Sequence, residues 1–172
     1  MTFMTISSIS IQLEQNRTVF EGLLHGKSET EFLWRPEAQK WCLLEIACHL
    51  LDEEQEDFKA RIKYIFERPE GPMPSINPPA WVTERNYISK DYETVVQSFL
   101  EERKQSVIWL REHMSANWDQ SIHHAQLGVM SARLFLHNWL AHDYLHIRQI
   151  VRLQYAFLKQ QGGVNLNYAG NW

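Results

Sequence analysis

Residues 131–159, SARLFLHNWLAHDYLHIRQIVRLQYAFLK, indicate the architecture of the whole chain. Large or aromatic side chains recur in this stretch every three or four residues, which is the spacing of one face of an α-helix. The recurring positions are Phe135, Trp139, His142, His146, Ile150, Leu153 and Phe157. The pattern predicts one long helix, from about Ser131 to about Lys159, with a single face turned toward the protein core.

Three earlier segments have the same helical periodicity. The first contains the apolar stripe from Ile6 to Leu23, and Gly26 follows where that helix is expected to end. The second runs from about Cys42 to Phe66 as one helix with an acidic middle. The third is expected to begin near Ser89, a plausible N-cap, and to continue to about Met114. No segment has a convincing strand pattern.

The connection at residues 69–80, PEGPMPSINPPA, holds five of the six prolines of the chain. Proline lacks a backbone N–H and restricts the residue before it, so this stretch is predicted to be a long loop between helices 2 and 3. Four amphipathic helices bury their apolar stripes most simply against one another. We therefore expect an all-α four-helix bundle, with residues 1–172 as a single domain and 161–172 as a loose tail.

Composition excludes several classes of function. The 172 residues carry a net charge of −4, and no cluster of Lys and Arg suggests a nucleic-acid partner. No apolar run approaches the roughly 20 residues that span a membrane. Cys42 and Cys48 lie six residues apart in one predicted helix, which is too far for a disulfide and is typical of a reducing compartment. The N-terminus does not resemble a signal peptide, so a cytoplasmic location is expected.

Three histidines form the candidate site. His142 and His146 are four residues apart and therefore project from the same face of the last helix, within its apolar stripe. His49 lies on the second helix and completes a three-nitrogen site if the two helices pack side by side. Buried histidines that hydrogen-bond to carbonyls or carboxylates are the alternative. A zincin protease is disfavoured, because Asp143 stands where that motif has glutamate and no glycine-punctuated third-ligand motif follows.

Two stretches resemble the DinB-like (damage-inducible) superfamily of metal-binding four-helix bundles. Residues 34–61, WRPEAQKWCLLEIACHLLDEEQEDFKAR, are similar to the family's pattern of R-P, W, E-I-x-x-H-L, D-x-E and a following arginine. Residues 136–150, LHNWLAHDYLHIRQI, are similar to its closing H-D-x-x-H-x-x-Q-I. The resemblance implies that His49, His142 and His146 are the ligands of one divalent metal ion, for which zinc or nickel is favoured. The similarly named DNA polymerase has an unrelated fold.

The resemblance also implies an activity. Members of the superfamily include S-transferases that use bacillithiol, mycothiol or glutathione, and a mycothiol-dependent maleylpyruvate isomerase. We therefore expect the transfer of a low-molecular-weight thiol to an electrophile, in the context of a stress response and of a homodimer. A metal-dependent hydrolase and a non-catalytic metal-binding bundle are the alternatives. Three imidazoles leave at least one metal position open, as is typical of catalytic rather than structural zinc sites.

Further residues are candidates for catalysis or substrate binding beside the metal. Glu53 follows His49 by one helical turn and is the candidate catalytic residue, to orient a ligand or contact a metal-bound water; Asp52 is a second candidate. Gln149 lies one turn after His146 and is the candidate substrate-binding residue. Trp41 and Trp139 are interpreted as core residues.

Overall fold

A computed structural model describes residues 4–68, 72–124 and 126–170 of the chain. Its α-helices are α1 (Ile6–Leu24), α2 (Glu29–Phe32), α3 (Leu43–Glu56), α4 (Phe58–Glu67), α5 (Pro78–Glu84), α6 (Tyr92–Glu112) and α7 (Ala132–Gln161). Short 3-10 turns occupy Tyr87–Ser89 and Asn167–Ala169, and a hairpin is formed by β1 (Ser121–His124) and β2 (Gly128–Ser131). Within the described ranges, none of the helices has an apolar stretch of the length that a bilayer requires.

The predicted four-helix bundle is confirmed. Helix α6 packs against α1 and α3, and α7 packs against α1 and α4, so that α3 and α4 together form one arm of the bundle. The ends of the long helices follow local chemistry: the side chains of Thr5, Asp91 and Ser131 each accept a hydrogen bond from a backbone N–H in the first turn. Gly26 follows α1 with a φ of +71°, a conformation that suits glycine.

The second arm is broken, which corrects the prediction of one helix from Cys42 to Phe66. Asp57 lies between α3 and α4 with φ −110° and ψ −100°, outside the helical region. The break lets α3 pack on α6 while Phe58, Ile62 and Ile65 of α4 are buried on the side of α7. A single straight helix turns its apolar stripe toward one neighbour. Because this arm packs against both α6 and α7, two helices with a break between them suit it better than one.

The proline-rich connection also differs from the prediction of a loop through residue 80. Pro78 and Pro79 occupy the first turn of α5, where a missing N–H costs no hydrogen bond and the fixed φ is already helical. Residues 72–77 carry no regular structure, and residues 69–71 of the predicted loop lie outside the described residues. Helix α6 begins two residues later than expected, because Asp91 is its N-cap whereas Ser89 ends a 3-10 turn.

The hairpin is a further correction, since no strand is expected from the sequence. β1 and β2 pair antiparallel, with Ser121 opposite Ser131 and His124 opposite Gly128. Gly128 has a φ of +75°, as the turn between the strands requires. Each strand has only four residues and neither alternates cleanly between buried and exposed positions, so the period-2 signal is weak. Cys42 and Cys48 are both buried, and neither forms a disulfide.

Buried apolar side chains form two clusters, and buried polar side chains of α1, α3, α6 and α7 lie between them. On α1, Leu13 belongs to one cluster and Phe20 to the other, and the buried Asn16 lies between them. On α6, Arg103 holds the same position between Leu100 and Val107. The buried polar residues at this level are Asn16, His49, Glu53, Glu54, Arg103, Asp143 and His146. The candidate histidines therefore belong to a layer that crosses the whole bundle.

Candidate metal centre

His49 of α3 and the His142–His146 pair of α7 meet in the interior of the bundle. The Nε2 atom of His142 lies 3.2 Å from Nε2 of His49 and 3.0 Å from Nε2 of His146. Each of the three rings offers one nitrogen to a group whose members all lie within 4.8 Å of one another. His49 and His146 are buried and His142 is half-buried. The structure thus brings together the three histidines that the sequence singles out.

Burial keeps these imidazoles neutral. It lowers the pKa of His49 to about 3 and, together with the neighbouring rings of His146 and His49, that of His142 to about 2. The pKa of His146 is also lowered by burial, against opposing effects of Gln149 and Asp143. A neutral imidazole keeps a free lone pair on one ring nitrogen, which is the form that binds a metal ion.

Hydrogen bonding alone does not satisfy this cluster. A neutral imidazole has one N–H donor and one acceptor, so the Nε2 of His142 cannot serve both neighbouring Nε2 atoms well at once. Among the described residues, the Nδ1 atoms of His49 and His146 have no hydrogen-bond partner. Nitrogens bound to zinc at about 2.0–2.1 Å in a tetrahedron are roughly 3.3 Å apart, close to the spacing seen here. The three residues therefore fit a divalent metal ion with histidine ligands.

Glu53 lies beside this centre. One of its carboxylate oxygens is 4.0 Å from Nδ1 of His49, on the side of the ring that faces away from His142. Burial, reinforced by the Asp57 carboxylate, raises the pKa of Glu53 to about 8. This placement suits a residue that orients a metal-binding histidine through its second nitrogen. Its predicted catalytic role remains a prediction.

A buried ion network anchors the helix that carries two of the histidines. Arg103 pairs with Asp143 through Nη1–Oδ2 at 2.7 Å and with Glu54 through Nη2–Oε2 at 2.8 Å. Asn16 donates to Asp143 at 3.0 Å, and the indole N–H of Trp139 donates to Glu54 at 3.1 Å. Asp143 is fully buried and committed to Arg103, so it is not free to act as the general base of a protease-like site.

An open cavity of about 600 Å³ adjoins the histidines. Its walls include His146, Gln149 and Trp41, so Gln149 faces the space in which a substrate would bind, as its predicted role requires. Trp139 is confirmed as a core residue. Trp41, by contrast, is half-buried: its ring lies 5.1 Å from the ring of His49 and forms part of the cavity wall. Trp41 packs against the core, as predicted, and its remaining surface faces the cavity.

The structure does not bring Asp52 to the histidines as a free carboxylate. Asp52 accepts a hydrogen bond from the Tyr87 hydroxyl and pairs with Arg85 at 2.9 Å. Both partners line a second cavity, of about 440 Å³, together with Cys48. Asp52 therefore supports the packing of the segment after α5 against α3.

Sequence reasoning missed several residues of the site region. Asn16 and Arg103 lie at helical spacing within apolar stripes, and a polar residue at such a position is the signal that could have identified them. Glu54 is hidden in the acidic middle of the second segment, where neighbouring carboxylates look like a solvated face. Lys40, Arg148 and Arg152 line the cavity, but no pattern in the sequence connects Lys40 with the last helix.

Comparisons with known proteins agree with this geometry. The family model described as the DinB superfamily matches residues 12–150. A solved structure, YfiT from Bacillus subtilis, superposes with a TM-score of 0.76 at 14% sequence identity, covering 91% of this chain and 87% of that one. That protein is described as a probable metal-dependent hydrolase with an unusual four-helix bundle topology. No curated protein matches the chain in sequence.

Proposed function

The chain belongs to the DinB superfamily, and from this premise we propose that it is a metal-dependent enzyme in which His49, His142 and His146 hold one divalent ion. The observation that carries the proposal is the convergence of three neutral Nε2 atoms beside an open cavity. Structural zinc sites are usually closed by four protein ligands, whereas catalytic sites keep a position for water or substrate. Three histidines next to an open space correspond to the second arrangement.

The reaction that we propose is the transfer of a low-molecular-weight thiol to an electrophile. A divalent ion supplies Lewis acidity, which lowers the pKa of a thiol or water bound to it. In the transfer, a sulfur–carbon bond forms and the bond from carbon to the leaving group breaks. The leaving group takes the electron pair, and the thiol proton passes to solvent. The superfamily to which the chain belongs includes thiol S-transferases, and this supports the choice.

The residues around the ion have separate tasks in this proposal. His49 and the His142–His146 pair fix the position of the ion between two helices that the Arg103 network holds in register. Glu53 lies on the side of the His49 ring opposite His142, with a carboxylate oxygen 4.0 Å from Nδ1, and limits how far that ring can turn. Gln149 lines the cavity next to His146 and contacts the bound substrate. The Trp41 ring lies 5.1 Å from that of His49 and, as part of the cavity wall, limits the access of water to this side of the site.

Metal-dependent hydrolysis is the second candidate, because the similar Bacillus subtilis structure is described as a probable metal-dependent hydrolase. The same three ligands suit both reactions, since water and thiol compete for the same open position. The two differ in the co-substrate required. Hydrolysis needs no thiol, whereas transfer stops without one.

The test of the metal site is metal content per chain, measured by plasma mass spectrometry on protein purified without a metal-affinity tag. We expect near one equivalent of zinc or nickel in the wild type and little in His142→Ala. His137→Ala is the matched control, because His137 is an exposed histidine of the same helix. Wild-type protein that takes up no ion even after zinc or nickel is added would overturn the proposal in favour of a bundle with buried histidines.

Activity measurements then separate the reactions. The metal-loaded protein is assayed with 1-chloro-2,4-dinitrobenzene in the presence and absence of a thiol, and with p-nitrophenyl acetate alone. Thiol-dependent release of chloride that disappears in His142→Ala supports transfer, whereas ester cleavage without thiol supports hydrolysis. A stoichiometric ion with neither activity on a broader panel of electrophiles and esters favours the non-catalytic metal-binding bundle.

A further inference from the structure

We propose that the cavity beside His146 binds an oxyanion group of the substrate, a carboxylate or a phosphate, through Lys40, Arg148 and Arg152. The inference rests on the proposed function, because it assigns the substrate class of the same site. It adds a binding subsite and a charge requirement that neither the family match nor the similar structure specifies.

The cavity has the size and lining of a small-molecule site. Its volume of about 600 Å³ lies within the roughly 300–1,000 Å³ that is usual for such sites. Apolar side chains, among them Leu145, Leu153 and Trp41, supply part of the wall. His146 belongs both to this wall and to the metal centre, so a molecule in the cavity lies directly against the ion's ligand set.

The charge of the wall is opposite to that of the protein. Lys40, Arg148 and Arg152 line the cavity and no Asp or Glu does, although the chain carries a net charge of −4. Within the described ranges, none of these three cationic groups forms an ion pair with a carboxylate. Arg35, Arg85 and Arg133, by contrast, each pair with an acidic neighbour. The cavity therefore gathers positive charge that no described carboxylate pairs with.

The two arginines are placed to act together. Arg148 and Arg152 are four residues apart on α7, so their side chains project from the same face of the helix. Like charges at this spacing repel and destabilise a helix, and an anion between them removes the repulsion. A guanidinium presents its N–H groups as a planar fork that matches a carboxylate or phosphate with two parallel hydrogen bonds.

The position of the arginines relative to the histidines also sets the orientation of a substrate in the cavity. Gln149 and His146 share the wall with the arginines: Gln149 lies between them on the same helix, and His146 precedes Arg148 by two residues. An anionic group held by Arg148 and Arg152 leaves the rest of a small molecule to reach the histidines. Arg148, Arg152 and Lys40 are exposed, so they attract the anion from the rim of the cavity and their effect weakens with salt.

The test compares 3-mercaptopropionate with its methyl ester, in which the carboxylate is replaced by an uncharged ester, by isothermal titration calorimetry. We expect the wild-type protein to bind the acid at least about tenfold more tightly, as one charge-assisted hydrogen bond provides. The preference should fall to about twofold or less in Arg148→Gln/Arg152→Gln. The control is Lys104→Gln/Lys159→Gln, which removes the same charge outside the cavity lining and should keep the preference.

Further measurements identify the preferred anion and distinguish failure of the anion subsite from failure of the metal site. Competition with inorganic phosphate and with acetate shows which oxyanion the subsite prefers. Equal binding of acid and ester by the wild type, or a preference that the arginine variant retains, overturns the inference. The titrations are run on metal-loaded and metal-free protein. Failure of the metal proposal appears as missing metal in the wild type, whereas failure of the anion subsite appears as missing charge preference in protein with its full complement of metal.

Discussion

The guanidinium of Arg103 on α6 and the carboxylate of Asp143 on α7 form a two-pronged ion pair in the protein interior, with Nη1–Oδ2 at 2.7 Å and Nη2–Oδ1 at 2.8 Å. Both side chains are at most 1% exposed. Burial alone would lower the pKa of Arg103, but Asp143 and Glu54 raise it above its usual value, so the guanidinium stays charged. Because Asp143 directly follows His142 in α7, this ion pair fixes the position of His142 and His146 along the axis of the bundle.

Removing the guanidinium should be strongly destabilising. Arg103→Met keeps an unbranched apolar stem, shorter than arginine, and leaves two buried carboxylates, Glu54 and Asp143, without their cation. We expect a loss of about 3–5 kcal/mol in the free energy of unfolding, measured by urea denaturation of metal-free protein. Lys104→Met, at the exposed neighbouring position, should change it by less than about 0.5 kcal/mol. A loss below about 1 kcal/mol in Arg103→Met would show that the network does not hold the bundle together.

Glu53 should make stability depend on pH. Its pKa is about 8 in the folded chain and about 4.5 in the unfolded chain, so the folded state binds the extra proton between these values. The contribution of Glu53 to stability is therefore full below about pH 4.5 and is lost as the pH rises toward 8, by up to about 1.4 kcal/mol per pH unit. Glu53→Gln removes this titration. The metal-free variant should match the wild type at pH 5 and exceed it in stability at pH 8.

A control for that comparison is Glu56→Gln. Glu56 lies on the same helix, but its pKa is lowered by a hydrogen bond from Arg85 rather than raised by burial. The difference in stability between Glu56→Gln and the wild type should not grow in favour of the variant as the pH rises from 5 to 8. If Glu53→Gln behaves in the same way as Glu56→Gln, Glu53 is already ionised in the folded protein at pH 5.

Metal binding should stabilise the folded state. An ion that binds only the native chain adds about 2.7 kcal/mol to the free energy of unfolding at a free concentration one hundred times its Kd. We expect zinc to raise the melting temperature of the wild type and of His137→Ala, measured by calorimetry against a chelator-treated sample. His49→Ala removes the only ligand from α3 and should abolish the shift. An equal shift in His49→Ala would locate the bound metal elsewhere.

The start of α6 offers a smaller test. The Asp91 side chain accepts a hydrogen bond of 2.9 Å from the backbone N–H of Thr94. Asp91→Ala should therefore cost about 1 kcal/mol in the free energy of unfolding. Ser89→Ala should cost little, because the Ser89 hydroxyl donates only to the backbone carbonyl of Asn86 within the preceding turn. A larger loss of stability in Ser89→Ala than in Asp91→Ala would contradict the structure and indicate that Ser89, as the sequence predicts, is the N-cap of α6.

Local patterns were sufficient for the parts of the fold in which one residue spacing repeats over many turns. The long α7 carries the same three- and four-residue steps from Phe135 to Phe157, and its observed bounds, Ala132–Gln161, agree closely with the prediction. The break at Asp57 was not predictable in this way. The sequences of α3 and α4 both have helical periodicity. They are separate helices only because α3 packs against α6 and α4 packs against α7.

The sequence by itself determined the bundle and nominated His49, His142 and His146, because helical spacing and two family-like stretches are local properties of the chain. Only the tertiary structure decided what surrounds them. It paired Arg103 with Glu54 and Asp143, and it brought Lys40 to the same cavity as Arg148. These residues lie 40 or more positions apart, as between Arg103 and Asp143. Charge interactions depend on distance and burial in space, which residue order alone does not specify.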